Sequence, residues 1–498
     1  MEKIEFVDVT LRDGQQSLWA ERMTTGMMLP IAERLDSAGF DSIETFSPSH
    51  VGKCVRDLRE DPFERIRLLA SRIKKTPLRV NAGGLNIFGS DQPAIYDLFW
   101  RILAAAGVSQ SRISDPWNDP SVWNLRVTAA RKAGIAPIIN ITYSISPRHT
   151  DDYYAEHTRQ AVLLSPYRLC LKDPGGLLTP ERTRTLVPIM LKNSAGIPVE
   201  LHTHCSTGLG PLCCLEAVQQ GIRIVNTAIP PLSDSASLPS IFDVAGNLRA
   251  LGYRTGINEE SLRPVAKHFT VIARREELPI GAPVAYDYAQ YVHQVPGGMI
   301  SNMRHQMREV NAEHRLPAAL EETVRVRAEF GYPIMVTPLS QFVGSQAALN
   351  VIVGERYKEV TDQSIRYALG HFGGDVATLM NPEVRARILD RPRARALAEI
   401  ERKDLSLEDI RRDVGGAGLS DEELLLRYLL RKEDIAAMRS AGPVKSYITD
   451  TDPLVTLVAD LSKFPDTRTI QIRKPGFALT LRKDAPRREN DRTCNLLK

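Results

Sequence analysis

The sequence predicts an α/β chain: a (β/α)8 TIM barrel, then an all-helical C-terminal domain, then a short β-containing tail. Three observations carry this expectation. Up to about residue 230, eight short apolar runs recur with an amphipathic helical pattern between each pair. Strands alternating with helices call for a parallel sheet, and eight such units close a barrel. From about residue 290 to 440 the rhythm stops and helical patterns dominate. Beyond Pro443, two alternating runs flank Lys474-Pro475-Gly476 and read as a β-hairpin.

The eight expected strands are IEFVDVT from Ile4, DSIETF from Asp41, LRVNAGG from Leu78, SRIS from Ser111, PIINITYS from Pro137, YRLCLKD from Tyr167, PVELHTH from Pro198 and IRIVNTAI from Ile222. SRIS is the weakest and is kept because the count closes. Pro296-Gly297-Gly298 then punctuates the chain. Ser420 followed by Glu423 resembles a capping box opening one amphipathic run, EELLLRYLLRKEDIAAM. The expected domains are therefore 1–290 (barrel), 291–442 (helical) and 443–498 (tail with hairpin).

Composition excludes several classes of function. Apolar residues at 43% and charged residues at 25% suit a globular chain able to bury a large core. A formal charge of +4 over 498 residues makes no case for nucleic acid, and the basic residues Arg482, Lys483, Arg487, Arg488 and Arg492 read as a solvated tail. Cys54, Cys170, Cys205, Cys213, Cys214 and Cys494 form no CxxC pair, which argues against a zinc ribbon or a disulfide framework and for a reducing compartment. The N-terminus runs straight into a strand, no apolar run approaches a membrane span, and Cys494 is misplaced for prenylation. The expectation is a cytoplasmic protein.

Function in such a barrel sits at the C-terminal ends of the strands. Strand one runs into Thr10-Leu11-Arg12-Asp13-Gly14-Gln15-Gln16, strand six ends in Lys172-Asp173, strand seven in His202-Thr203-His204, and strand eight leads to Ser233, Ser235 and Ser237. His-x-His on a strand puts both imidazoles on one face. Alone, such a pair is more often two satisfied core histidines. With Asp13 at a corresponding strand end it makes a divalent-metal site of two imidazoles and a carboxylate. Lys172 reads blandly as a rim lysine or a partner of Asp173, since an ammonium beside a metal is repelled; a lysine carbamate would instead be an anionic ligand. Arg12 suits a developing enolate or a substrate carboxylate, or else an ion pair closing the barrel. Gln16 is a neutral hydrogen-bonding partner for the same ligand.

These residues resemble the biotin-dependent carboxyltransferases: the carboxyltransferase domain of pyruvate carboxylase, the oxaloacetate decarboxylase alpha subunit and the metal-containing transcarboxylase subunit. The resemblance runs through VDVTLRDGQQSLWAERM from Val7, CLKDPGGLLTP from Cys170, HTHCSTGLG from His202, YVHQVPGGMISNM from Tyr291 and GYPIMVTPLSQFVGSQAALNVIVGERY from Gly331. It implies a metal (zinc, or manganese or cobalt) held by Asp13, His202, His204 and a carbamylated Lys172. It places Arg12, Gln16 and Asn86 on the substrate side. The implied reaction moves a carboxyl group between N1 of biotin and an enolisable carbon of a keto acid. No Met-Lys dipeptide occurs, so the resemblance implies that the biotin carrier and the biotin carboxylase are separate chains, with a homodimer as the family's usual assembly.

The sequence also departs from the family. The usual arginine at the end of strand three, which grips the keto acid carboxylate, is Gly83. The Phe-Arg-x-Phe-Asp stretch after strand four reads Ser111-Arg112-Ile113-Ser114-Asp115. The proton-shuttling threonine of the strand-eight loop is Ala236, with Ser235 and Ser237 as candidate replacements, and the Asp after His-x-His is Cys205. Without a carboxylate clamp, with charged hydrogen bonds worth roughly 1.5–3 kcal/mol each, simple pyruvate is a poor acceptor. The alternatives are a biotin-independent metal-dependent lyase or aldol/Claisen-type enzyme on the same barrel, and a non-catalytic assembly subunit.

Overall fold

A computed structural model describes residues 2–85, 92–295, 297–372, 376–400, 404–416, 418–444, 447, 469–474 and 477–482. The chain divides into two compact units, residues 1–446 and 447–498.

In the first unit, eight parallel strands close a barrel: β1 (Lys3–Asp8), β2 (Ser42–Phe46), β3 (Leu78–Ala82), β4 (Val108–Ile113), β5 (Ala136–Thr142), β6 (Arg168–Asp173), β7 (Val199–Thr203) and β8 (Ile224–Thr227). Hydrogen bonding runs β2 to β8 in order, β8 pairs with β1, and β1 pairs back to β2. A two-residue β9 (Arg254–Thr255) adds to the start of β1. The helices between strands announce themselves locally. Pro62–Arg72, Pro120–Lys132 and Pro180–Asn193 each begin with proline at the first helical position, behind Asp61, Asp119 and Thr179, whose side chains accept the free amides of the first turn.

Two expected elements differ. The run from Ser111 belongs to a longer strand, since β4 begins at Val108 and joins both β3 and β5. Strand one stops at Asp8, and Thr10–Gly14 forms a wide helical turn in which the Gly14 amide donates to the Val9 carbonyl at 3.0 Å. The Asp8 carboxylate ends the strand by accepting both the Thr10 amide and hydroxyl. Glycine is required at position 14, because a Cβ there would meet the Leu232 carbonyl at 2.8 Å.

Helices fill the chain from Ala289 to Ser440. Pro296 lies outside the described residues, and Gly297 begins the helix Gly297–Glu309 instead of marking a break. The single amphipathic run expected after Ser420 is two helices, Asp421–Leu429 and Lys432–Ser440, separated by an extended Leu430. Ser420 does cap the first, accepting the Glu423 amide. The kink lets the second helix reach the barrel, where Arg439 pairs with Asp61.

The helical region shares its core with the barrel. Trp117, from the loop after β4, packs among Val326, Phe330, Phe342 and Tyr367. Arg327 donates to the Ser144 hydroxyl at 2.9 Å and the Ile145 carbonyl at 3.0 Å, and the Gln294 amide donates to the same carbonyl at 2.8 Å. The loop after β5 at the barrel mouth is thereby held from outside.

Apart from Tyr447, the second unit is described as the hairpin β10 (Thr469–Lys474) and β11 (Phe477–Arg482), antiparallel with Lys474 opposite Phe477. The remaining tail, including Lys483, Arg487, Arg488, Arg492 and Cys494, lies outside the described residues.

Candidate active site

Along β7 the side chains of Glu200, His202 and His204 climb one face in steps of two residues, from the barrel interior to its mouth. At the top, His202 Nε2 lies 3.1 Å from Asp13 Oδ2, and His204 Nε2 lies 3.5 Å from Asp13 Oδ1. All three residues are buried and their ligand atoms fall within 4.8 Å of one another. The wide turn after β1 carries Asp13 inward, and Ser17 donates to its carboxylate at 3.1 Å.

The far side of each imidazole decides what this cluster can hold. His204 Nδ1 sits 2.7 Å from the Ala236 carbonyl, which only accepts, so Nδ1 carries the proton. His202 Nδ1 sits 3.2 Å from Asn226 Oδ1, whose orientation is set by the Asn226 amide donating to Glu200. Both Nε2 atoms therefore present lone pairs toward a carboxylate. Among the described residues, His202 Nε2 is buried without a hydrogen-bond partner. Burial, then the charge of Arg112, holds His202 well below the usual imidazole range, so it stays neutral. Burial opposes ionisation of Asp13 too, but the Arg12 guanidinium overcomes it and holds the carboxyl well below its usual range. Two imidazole lone pairs and a carboxylate already paired with Arg12 converge here, and a divalent cation is a group that such a set fits.

Arg12 does not stand free. Its guanidinium lies 2.5 Å from Asp13 Oδ2, pairs through Nε with Glu44, and donates to Gln16 Oε1 at 3.1 Å. Glu44, fully buried in β2, also takes two hydrogen bonds from Arg112 of β4, at 2.6 and 2.7 Å. Burial works against this carboxylate, yet Arg112 and then Arg12 hold it far below its usual range. Glu44 thus fixes the orientation of Arg12. Glu44 carries no motif of its own, and a lone acid inside the apolar run SIETF is its signal in the sequence.

Lys172 is the strand neighbour of His202, and its Nζ lies 3.4 Å from the Ser114 hydroxyl. Burial, then Arg112 and Arg12, brings its ammonium down to about 8. The bland pairing with Asp173 is not made: Asp173 instead accepts the amides of Leu177 and Leu178 and the Thr203 hydroxyl. Arg12, Asp13, Gln16, Lys172, His202 and His204 are thus brought to one end of the barrel. The loop serines are engaged locally, Ser235 with both the carbonyl and the amide of Ala282, and the wholly buried Ser237 with the Leu232 carbonyl. Asn86 lies outside the described residues.

Residues 291–450 match the family described as the conserved carboxylase domain, and residues 121–268 match the HMGL-like family. A pyruvate carboxylase subunit from Methanocaldococcus jannaschii is 37% identical over 391 residues, covering 78% of this chain and 68% of that protein. The large subunit of 2-oxoglutarate carboxylase of Hydrogenobacter thermophilus is 31% identical, covering 90% of this chain and 71% of that one. Among solved structures, the carboxyl transferase domain of Rhizobium etli pyruvate carboxylase superposes with a TM-score of 0.79 at 21% identity, covering 88% of this chain and 76% of that domain. Among the described residues, no helix is long and apolar enough to cross a membrane.

Proposed function

Because this chain belongs to the biotin-dependent carboxyltransferase family, we propose that it is the carboxyltransferase subunit of a cytoplasmic, multisubunit biotin system. It moves a carboxyl group between carboxybiotin on a separate carrier chain and an enolisable 2-oxo acid. The observation that supports this most is the convergence of Asp13, His202 and His204, all acceptors, at the mouth of the barrel.

Asp13, His202, His204 and a carbamylated Lys172 would hold the cation, zinc best suiting the mixed nitrogen and oxygen set. When bound, it supplies a Lewis acid for the acceptor carbonyl. The carbamate forms when the Lys172 amine adds to CO2 and releases one proton, which the lowered ammonium pKa of about 8 favours. Arg12, held rigid by Glu44, offers its guanidinium to the developing enolate oxygen, and Gln16 orients the same ligand. In the transfer, the C–N bond of carboxybiotin breaks, a C–C bond forms at the enolised carbon, and the proton lost there passes to biotin N1. Ser235, the more accessible loop serine, is the candidate to hold that proton beside Ala236. The carrier, the biotin carboxylase and a second copy of this chain are the proposed partners. The domains are proposed to follow the limits 1–290, 291–442 and 443–498.

The test is a metal analysis and a carboxybiotin-dependent assay on protein grown with bicarbonate, alongside His202→Ala. About one divalent metal per chain, lost in the variant together with transfer to 2-oxo acids, supports the reading. Metal-free protein whose activity is indifferent to His202→Ala sinks it, leaving a biotin-independent reaction or an assembly role.

A further inference from the structure

Next to the acceptor cluster, the barrel mouth holds a second polar group that the carboxyltransferase chemistry does not use. Asn81 lies on β3, Ser114 just past β4 and Asn140 on β5, side by side in the sheet. The Ser114 hydroxyl donates to Asn81 Oδ1 at 2.8 Å and accepts from Asn140 Nδ2 at 2.5 Å; Asn140 Nδ2 also reaches Asn81 Oδ1 at 3.3 Å. Lys172 joins through Ser114 at 3.4 Å. Asn140 is fully buried, and its Oδ1 has no hydrogen-bond partner among the described residues. Asn81, Ser114 and Lys172 are half-buried beside it. Among the described residues, a Cβ on Gly83 would meet one atom within 4 Å, the Ser114 carbonyl oxygen at 3.8 Å, which also accepts from the Arg126 guanidinium. The wall is therefore polar, with Lys172 and Arg126 as its charged members.

We propose that Asn81, Ser114 and Asn140 form the subsite for a substituent on the acceptor, and that this substituent is an uncharged hydrogen-bond donor, a hydroxyl or a carboxamide. The inference rests on the carboxyltransferase reading. A methyl group there would leave the buried Asn140 oxygen unsatisfied. An anionic substituent has no proton to donate to Asn140 Oδ1 and would lie beside a carbamylated, negatively charged Lys172. Arg12 and Arg112 are already held by Glu44, and Arg126 is engaged by the Ser114 carbonyl. A hydroxyl or carboxamide donates to Asn140 Oδ1 and accepts from the Asn81 amide, whose own oxygen is taken.

The experiment compares acceptors that differ only by hydroxyl for methyl: 3-hydroxypyruvate against 2-oxobutyrate, and, one carbon longer, 4-hydroxy-2-oxobutyrate against 2-oxopentanoate. With carboxybiotin and the metal-loaded full chain, kcat/KM should favour one hydroxylated member by about 10-fold or more. In Asn140→Leu, close in volume, the ratio should fall to about one with metal content unchanged. Ser114→Ala, at a half-buried position, should lower the same ratio and keeps the test open if the buried variant misfolds. Calorimetric binding of the same pairs without carboxybiotin reads the preference independently of turnover. Hydroxyl-selective binding that both variants abolish supports the subsite even if no acceptor is carboxylated, an outcome that would sink the carboxyltransferase reading alone. Turnover without selectivity, or selectivity unchanged in both variants, overturns the subsite and leaves the reading standing.

Discussion

Two layers of the same barrel interior, one residue pair apart, treat charge in opposite ways. In the lower layer, Arg79 binds Glu200 through two parallel bonds of 2.8 and 3.0 Å and shares Gln110, all of it buried. Every charge there has its partner within the chain. Two residues further along β7 His202 faces Asp13, as does His204 beyond it, and there His202 Nε2 has no hydrogen-bond partner among the described residues, while Asp13 is paired with Arg12. Asn226 spans the two, donating downward to Glu200 and accepting upward from His202. Arg79 and Glu200 close the lower layer as an ion pair, whereas the upper layer turns two imidazole Nε2 atoms toward a carboxylate that Arg12 already pairs.

Breaking each layer should therefore give different phenotypes. The largest effect on activity is expected from His204→Ala: about 1,000-fold lower transfer, since a Lewis acid contributes several kcal/mol. Metal content should fall to near zero while the thermal midpoint of the metal-free protein barely moves. Glu200→Ala should do the reverse to stability, costing about 3–5 kcal/mol in urea unfolding by stranding the buried Arg79. Asn226→Ala, which touches both layers, should weaken metal affinity by about 10–100-fold in a competition titration, because it frees the His202 ring.

A pH-dependent effect concerns Asp8, a buried carboxyl whose Oδ2 has no hydrogen-bond partner among the described residues. Burial, against the opposing Thr10 hydrogen bonds, raises its pKa from 3.8 to about 7. The folded chain then holds this proton more tightly than the unfolded chain does. The stability contributed by Asp8 is thus fully present below pH 3.8 and falls as pH rises toward about 7. Thermal melts of Asp8→Asn against the parent should show the variant gaining ground across that window. Parallel pH profiles would show that Asp8 ionises without cost.

The barrel was legible because its signals are local. Alternating strands and helices, proline behind Asp61, Asp119 and Thr179, and His-x-His on a strand all act within a few residues. The wide turn at Thr10–Gly14 was not, because it depends on Asp8 capping the strand from within and on Leu232 crowding Gly14. Likewise the extended Leu430 breaks a helical pattern that periodicity alone continues.

By itself the sequence determined the (β/α)8 class, the strand ends that carry Asp13, Lys172, His202 and His204, and the resemblance that links them. Periodicity decides which side chains face inward, so those assignments need no partner. Only the tertiary structure decided that Glu44 locks Arg12 and Arg112, that Asn226 and the Ala236 carbonyl turn both imidazole lone pairs toward Asp13, and that Asn140 is left with an unsatisfied oxygen. Each of these depends on groups from different strands meeting at hydrogen-bonding distance in a buried space, where a missing partner is costly. Such pairings arise when the barrel closes.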